Sequence, residues 1–250
     1  VSVEEAPGAA VDGPEPIEVD IPGARVAFST RRGGVSEGPY ESLNLGILTD
    51  DDPERVTQNR RRLAAAAGLA PDRVAMGWQV HEAGVREWEA PPQDGAFAAP
   101  GGSRPRVDAH TTRAPGLGLL VLAADCLPVA LASHGRVAIV HAGWRGLSAG
   151  VIERTLEYFE ETPTAVLGPA IARCCYEVGP EVLAAFADVP GAASGRMLDL
   201  KIVARARLAA AGVERVENVE LCTSCRPDLF FSHRRDGGLT GRQGGIVWRR

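Results

Sequence analysis

Two histidines and a cysteine stand where metal ligands would be useful. His81 closes the segment RVAMGWQV, His141 closes GRVAIV, and Cys126 follows the continuous apolar run LGLLVLAA. Segments of this kind read as strands, so three soft or borderline ligands would sit at three strand ends and could converge at one rim of a sheet. Three protein ligands leave a fourth position for water or substrate, which is the catalytic pattern for zinc. Their spacing matches no zinc-finger template. The residues alone therefore leave a plainer reading open, with Cys126 a small buried apolar group and both histidines satisfied polar groups. A further arrangement makes Cys126 a nucleophile and His141 its base, as in a cysteine hydrolase, and leaves His81 idle.

Charged groups surround these positions. Arg145 follows His141 within HAGWRG, and its planar fork suits a phosphate, although a surface ion pair would also account for it. Asp125 adjoins Cys126 and Glu177 sits in CCYEVG. Either could act as a general acid or base if partly buried, and Glu177 could equally cap a helix beginning near Pro180. Arg234, Arg235 and Arg242 form a basic cluster that could assist anion binding or face solvent. Cys222-x-x-Cys225 is a single redox or zinc half-site, which Cys174 and Cys175 could in principle complete.

The elements that must hold these groups follow from pattern. ARVAFST (24–30) reads as a strand, and Asp52-Pro53 starts a helix that Gly68 stops. Residues 73–80, 117–124, LPVALAS and GRVAIVHA read as strands, the last two joined as a hairpin at His134-Gly135. Helices are expected at 147–160, 180–187 and 199–211, a strand at 164–168, and a closing strand in GGIVWRR. Residues 90–106, rich in Pro and Gly, read as a mobile surface loop.

With 250 residues there is enough chain for one large domain. The net charge of −5 does not favour nucleic-acid binding, and no apolar run is long enough for a membrane span. Lys201 is the only lysine, so no Gly-x-x-x-x-Gly-Lys phosphate loop can be written. Residues 1–20 carry six acidic and no basic residues and read as a flexible acidic tail rather than a signal peptide. Five cysteines, an odd number without an export signal, lead us to expect reduced thiols in the cytoplasm.

The blocks FSTRRGGVSEGPYESLNLG (28–46), NRRRL (59–63), WQVH (78–81) and VDA (107–109) resemble those of the laccase-domain family of the YfiH/YlmD type. So do ADCLPV (124–129), HAGWRG (141–146), CCYEVG (174–179) and FFSHRRDGGLTGRQGGIVW (230–248). Members are known as purine nucleoside phosphorylases and, earlier, as multicopper polyphenol oxidases. The resemblance implies one α+β domain over 21–250, with mixed β-sheets and outer helices in a layered αββα arrangement. A Rossmann fold is not expected, as no Gly-x-Gly-x-x-Gly fingerprint is present. It implies His81, Cys126 and His141 as zinc ligands, with copper as an alternative metal. It also implies a purine nucleoside and phosphate as substrates, releasing free base and ribose-1-phosphate, with adenosine deamination as a second activity. Older descriptions imply a laccase-like oxidase, and a role in editing peptidoglycan precursors would fit the cysteine hydrolase. Arg31 and Asn44 match the first block, whose loop could line the substrate pocket with Gly33 and Gly34 offering amides to an anion, or could be a plain turn. Two positions depart from the family pattern. Glu82 replaces a small residue, and His110, which we read as a solvated loop histidine rather than an extra ligand, replaces an apolar one.

Overall fold

The computed structural model describes residues 13–92 and 104–250. Two mixed sheets lie face to face. The first has the order β1 (Ile17–Ile21), β2 (Ala24–Phe28), β13 (Gln243–Arg249), β6 (Gly118–Ala123) and β3 (Val74–Ala75). The second runs β12 (Val216–Asn218), β9 (Thr164–Leu167), β7 (Leu127–Ala132), β8 (Val137–Ala142), β5 (Ala109–Thr112) and β4 (Val85–Trp88). A small hairpin, β10 (Ala193–Ser194) with β11 (Met197–Leu198), stands apart. The pairs β3–β6, β4–β5 and β9–β12 are parallel and the rest antiparallel.

Apolar runs become central strands here because both faces of each sheet are covered. In β7, Leu127, Val129 and Leu131 point to the outer helices, while Ala130 and Ala132 point to the opposite sheet. In β6, Leu119 and Val121 face between the sheets and Leu120 faces outward. Helix α1 (Pro53–Ala66) packs Leu63 and Ala64 on the outside of the first sheet. Helices α2 (Trp144–Ser148), α3 (Val151–Leu156), α4 (Pro180–Ala184) and α5 (Leu200–Ala210) cover the second. The layers are thus αββα. Asp52 and Asp199 cap α1 and α5 through their side chains.

Four expectations need correction. The acidic tail does not extend to residue 20: Ile17–Ile21 is β1, paired with β2 from Ile17↔Phe28 to Ile21↔Ala24. The segment alternates, so Ile17, Val19 and Ile21 meet the core while Glu18 and Asp20 stay outside, a period-2 signal that its charge concealed. Residues 1–12 of that tail lie outside the described residues. The helix expected at 147–160 is two helices, α2 and α3, divided where Gly150 adopts a left-handed φ of 81°. The strand expected at 73–80 is regular only at Val74–Ala75. Beyond it the chain passes so close to Pro105 that a Cβ on Gly77 would stand 2.6 Å from the Pro105 carbonyl oxygen. Finally, of the loop expected at 90–106, residues 93–103 lie outside the described residues. Arg104 is buried with its guanidinium 5.0 Å from the Trp78 ring.

Candidate metal centre

The segment that carries Cys126 crosses from one sheet to the other. β6 ends at Ala123 and β7 begins at Leu127, so the chain must turn sharply. Asp125 absorbs the turn with a φ of 92°, which is costly for a residue with a Cβ. Its buried carboxylate secures the conformation, accepting from Thr223 Oγ1 at 2.6 Å and from the Arg234 amide at 2.7 Å. Both oxygens are therefore engaged in shaping the crossover.

His81 also has a left-handed backbone, with φ 62°. The turn aims three successive amides, those of Val80, His81 and Glu82, at the carboxylate of Asp108 at 3.1, 2.9 and 2.9 Å, an anion nest closed by a side chain. Asp108 is fully buried, and its Oδ1 lies 2.8 Å from His141 Nδ1. His141 sits near the end of β8. With Nδ1–H donated to Asp108, Nε2 carries the free lone pair. The donor atoms of His81, Cys126 and His141 all lie within 4.8 Å of one another. The two imidazole rings meet edge to face, centroids 4.9 Å apart. Gly143 makes room for them: a Cβ there would stand 3.1 Å from Cys126 Sγ and 3.2 Å from His81 Cδ2.

Electrostatics favour a thiolate. Burial would raise the Cys126 pKa, but His141 and His81 beside it bring it down to about 6. Burial likewise opposes charge on His141, yet the Cys126 sulfur and Asp108 hold its pKa up at about 9. The two shifts have one cause, the mutual stabilisation of a thiolate and a positive charge beside it, and a metal cation is such a charge. Two imidazoles and a thiolate directed at one point, with a carboxylate behind one ring, suit zinc or copper.

The centre opens into a cleft of about 560 Å³ whose walls include Leu122, Trp144, Tyr176, Arg145, Arg234 and Arg242. Arg145 is exposed, its guanidinium 4.4 Å over the Trp144 ring, and no hydrogen bond or ion pair holds it among the described residues. Arg242 donates Nη1 to the carbonyls of Thr240 and Gly241. Arg234 donates to the Glu177 carbonyl. Tyr176 is pushed up to about 12 by burial, then by Cys126 and Asp125, and so stays a hydrogen-bond donor at neutral pH.

Other candidates fall elsewhere. Arg31 spends its guanidinium on the carbonyls of Glu41 and Pro227 and lies 4.7 Å over Phe231, outside the cleft. Gly33 packs against Gly13 and Pro14, and the Gly34 amide already donates to Ser42 Oγ, so neither lines the cleft. Asn44 is buried and acts from behind. Its Oδ1 accepts from the Gly46 and Arg242 amides and its Nδ2 donates to Thr49, fixing three residues that do line the cleft. Glu177 neither faces the centre nor caps α4. It pairs with Arg196 at 3.1 Å, and Gly179 is the helix cap. Arg235 is consumed by Asp236 and the Thr223 carbonyl. His110 is a fully buried residue of β5, not a solvated one. Its Nδ1 accepts from Trp88 Nε1 at 3.2 Å, and burial drops its pKa to about 4.

Asp108 and Tyr176 were not anticipated. Asp108 was visible only as the middle of VDA, a block that carried no role, and Tyr176 stands beside the glutamate that a charge-based reading prefers.

Residues 25–250 match the family model described as multi-copper polyphenol oxidoreductase laccase. The chain belongs to this family. Among laccase-domain relatives, it is 40% identical over 239 residues to the purine nucleoside phosphorylase YfiH of Escherichia coli, covering 90% of this chain and 94% of that one. It is 37% identical over 257 residues to the purine nucleoside phosphorylase YlmD of Geobacillus stearothermophilus, covering 91% of each. The crystal structure of YfiH from Bacillus licheniformis superimposes with a TM-score of 0.83 at 31% identity, over 91% of this chain and 93% of that one. That of YlmD from G. stearothermophilus gives 0.80 at 36%, over 92% and 93%. The layered α+β fold is thus shared with the family. Among the described residues no helix is long and apolar enough to cross a membrane.

Proposed function

We propose that this chain is a metal-dependent purine nucleoside phosphorylase, converting inosine, adenosine, guanosine or methylthioadenosine and phosphate to free base and the sugar 1-phosphate, with adenosine deamination as a second activity. The observation that carries this reading is the meeting, in one cleft, of a three-ligand centre with the uncommitted guanidinium of Arg145. The names of relatives at about 40% identity support the reaction class. His81, Cys126 and His141 would hold zinc, which when bound supplies a Lewis acid in the cleft.

Phosphate must reach the sugar C1′ as the bond to the purine breaks. Arg145 can grip it through a bidentate fork, with Arg242 adding positive charge to the same cleft. An anion held beside a sugar that becomes cationic stabilises the transition state. Leu122, Ala123 and Trp144 offer an apolar wall for a purine, and Tyr176 offers a neutral hydrogen-bond donor.

Two other chemistries fit less of the site. A multicopper cluster needs many histidines, and of the five only His81 and His141 share a ligand cluster; His110 is committed to Trp88, His134 lies in the β7–β8 turn, and His233 lines the cleft but is not part of that cluster. A Cys126 hydrolase with His141 as base leaves His81 idle, although its donor atom lies within 4.8 Å of the other two. The test is hypoxanthine release from inosine as phosphate is titrated. The rate should climb from near zero and saturate; a rate indifferent to phosphate would refute the phosphorylase.

A further inference from the structure

The remaining four cysteines belong to no part of that cleft. Cys174 and Cys175 lie in the turn beyond β9, and Cys222 and Cys225 in the turn beyond β12. Folding brings all four sulfurs within 4.8 Å of one another. Cys225 Sγ stands 3.5 Å from Cys174 Sγ and 3.4 Å from Cys175 Sγ. A disulfide requires about 2.05 Å. Sulfurs on a tetrahedral zinc, each about 2.3 Å from the metal, lie about 3.8 Å apart, so the cluster is close to the spacing of a metal's thiolate shell.

The backbone is arranged for thiolates as well. The Ala172 amide donates to Cys222 Sγ at 3.4 Å, and the amides of Ser224 and Cys225 face the same sulfur. Amides converging on the first sulfur of a Cys-x-x-Cys turn provide the charge-assisted bonds that a metal-bound thiolate accepts. An isolated bridge pairs Ala170 with Cys222, and Arg235 fastens the turn through the Thr223 and Ser224 carbonyls at 2.9 and 3.3 Å. The two cysteine pairs are thus held in register by the main chain.

We propose that Cys174, Cys175, Cys222 and Cys225 form a second metal site, a closed tetrathiolate centre for zinc that ties the turn after β9 to the turn after β12. Four protein ligands fill a tetrahedral shell and leave no position for substrate, so the site is structural. Its position gives it work to do. Tyr176, next to Cys175, lines the cleft. Thr223, next to Cys222, donates to Asp125, the neighbour of Cys126. The tetrathiolate zinc therefore clamps the two segments that support the crossover bearing the other centre.

Metal analysis of the full chain, purified under reducing conditions without chelator, tests this independently of the reaction. Wild-type protein should carry two zinc ions per chain. Cys126→Ser, which removes a ligand of the cleft centre, should keep one, and its cobalt form should show the intense sulfur-to-metal charge-transfer bands of a four-thiolate site. The double variant Cys222→Ser/Cys225→Ser should lose one zinc and those bands. Should that variant fail to fold, thiol labelling of native Cys126→Ser decides: all four cysteines should be protected until zinc is chelated. Four freely reactive thiols, a mapped disulfide among them, stoichiometric iron, or no zinc left in Cys126→Ser would each overturn the proposal.

Discussion

The carboxylate of Asp108 joins the two histidine arms of the cleft centre: it lies 2.8 Å from His141 Nδ1 and accepts the His81 amide at 2.9 Å, both through Oδ1. One buried group thus sets the imidazole tautomer of one ligand and the left-handed backbone of the other. Asp108→Asn should keep the fold but lower zinc affinity at the cleft by roughly 10- to 100-fold, as loss of a carboxylate behind a ligand does elsewhere. Competitive chelator titration measures this, and unchanged affinity would show Asp108 to be only a backbone brace.

Gly143 is the close-approach position of the site. Its φ of −73° suits any residue, so Gly143→Ala should fold normally. The added methyl would press on Cys126 Sγ and the His81 ring. We expect weakened zinc binding with thermal stability changed by less than about 1 kcal/mol; full zinc affinity would mean that the ligands give way freely.

Cys126 and Arg145 separate metal binding from anion binding. Cys126→Ala removes the thiolate and should abolish both zinc at the cleft and turnover. Arg145→Ala should retain zinc and raise the KM for phosphate by roughly 10-fold or more, the scale of one charge-assisted contact. Equal zinc loss in both variants would make Arg145 structural.

Acid stability should report on His110. Its folded pKa of about 4 lies below the ordinary 6.5, so on acidification the unfolded chain takes up this proton first. The stability it contributes is whole above pH 6.5 and declines toward pH 4, by up to about 1.4 kcal/mol per pH unit for one proton. The acid slope of wild-type protein in urea unfolding should exceed that of His110→Asn by up to one proton between those limits. Identical slopes would contradict a neutral buried imidazole.

What the sequence discloses tracks the range of the interactions. β7, β8, α1 and α5 are written in local periodicity and caps, and the family motifs point to His81, Cys126 and His141, whose donor atoms the fold brings within 4.8 Å of one another. β1 was hidden because its alternating Ile17, Val19 and Ile21 are interleaved with Glu18 and Asp20, and charge count outweighed period. Arg31 and Glu177 looked chemical by type, but their partners, Pro227 and Arg196, are distant in the chain. Asp108 depends wholly on such a distant meeting, whereas Cys222-x-x-Cys225 reads as a half-site in the sequence and only the fold brings Cys174 to Cys225.

Phosphorolysis at a metal-loaded cleft is read out by phosphorus NMR of inosine incubated with phosphate and zinc-loaded protein. Ribose-1-phosphate should appear as inorganic phosphate disappears, in step with hypoxanthine, and Cys126→Ala should show neither. Hypoxanthine formed with free ribose, while the phosphate signal stays constant, would contradict phosphorolysis.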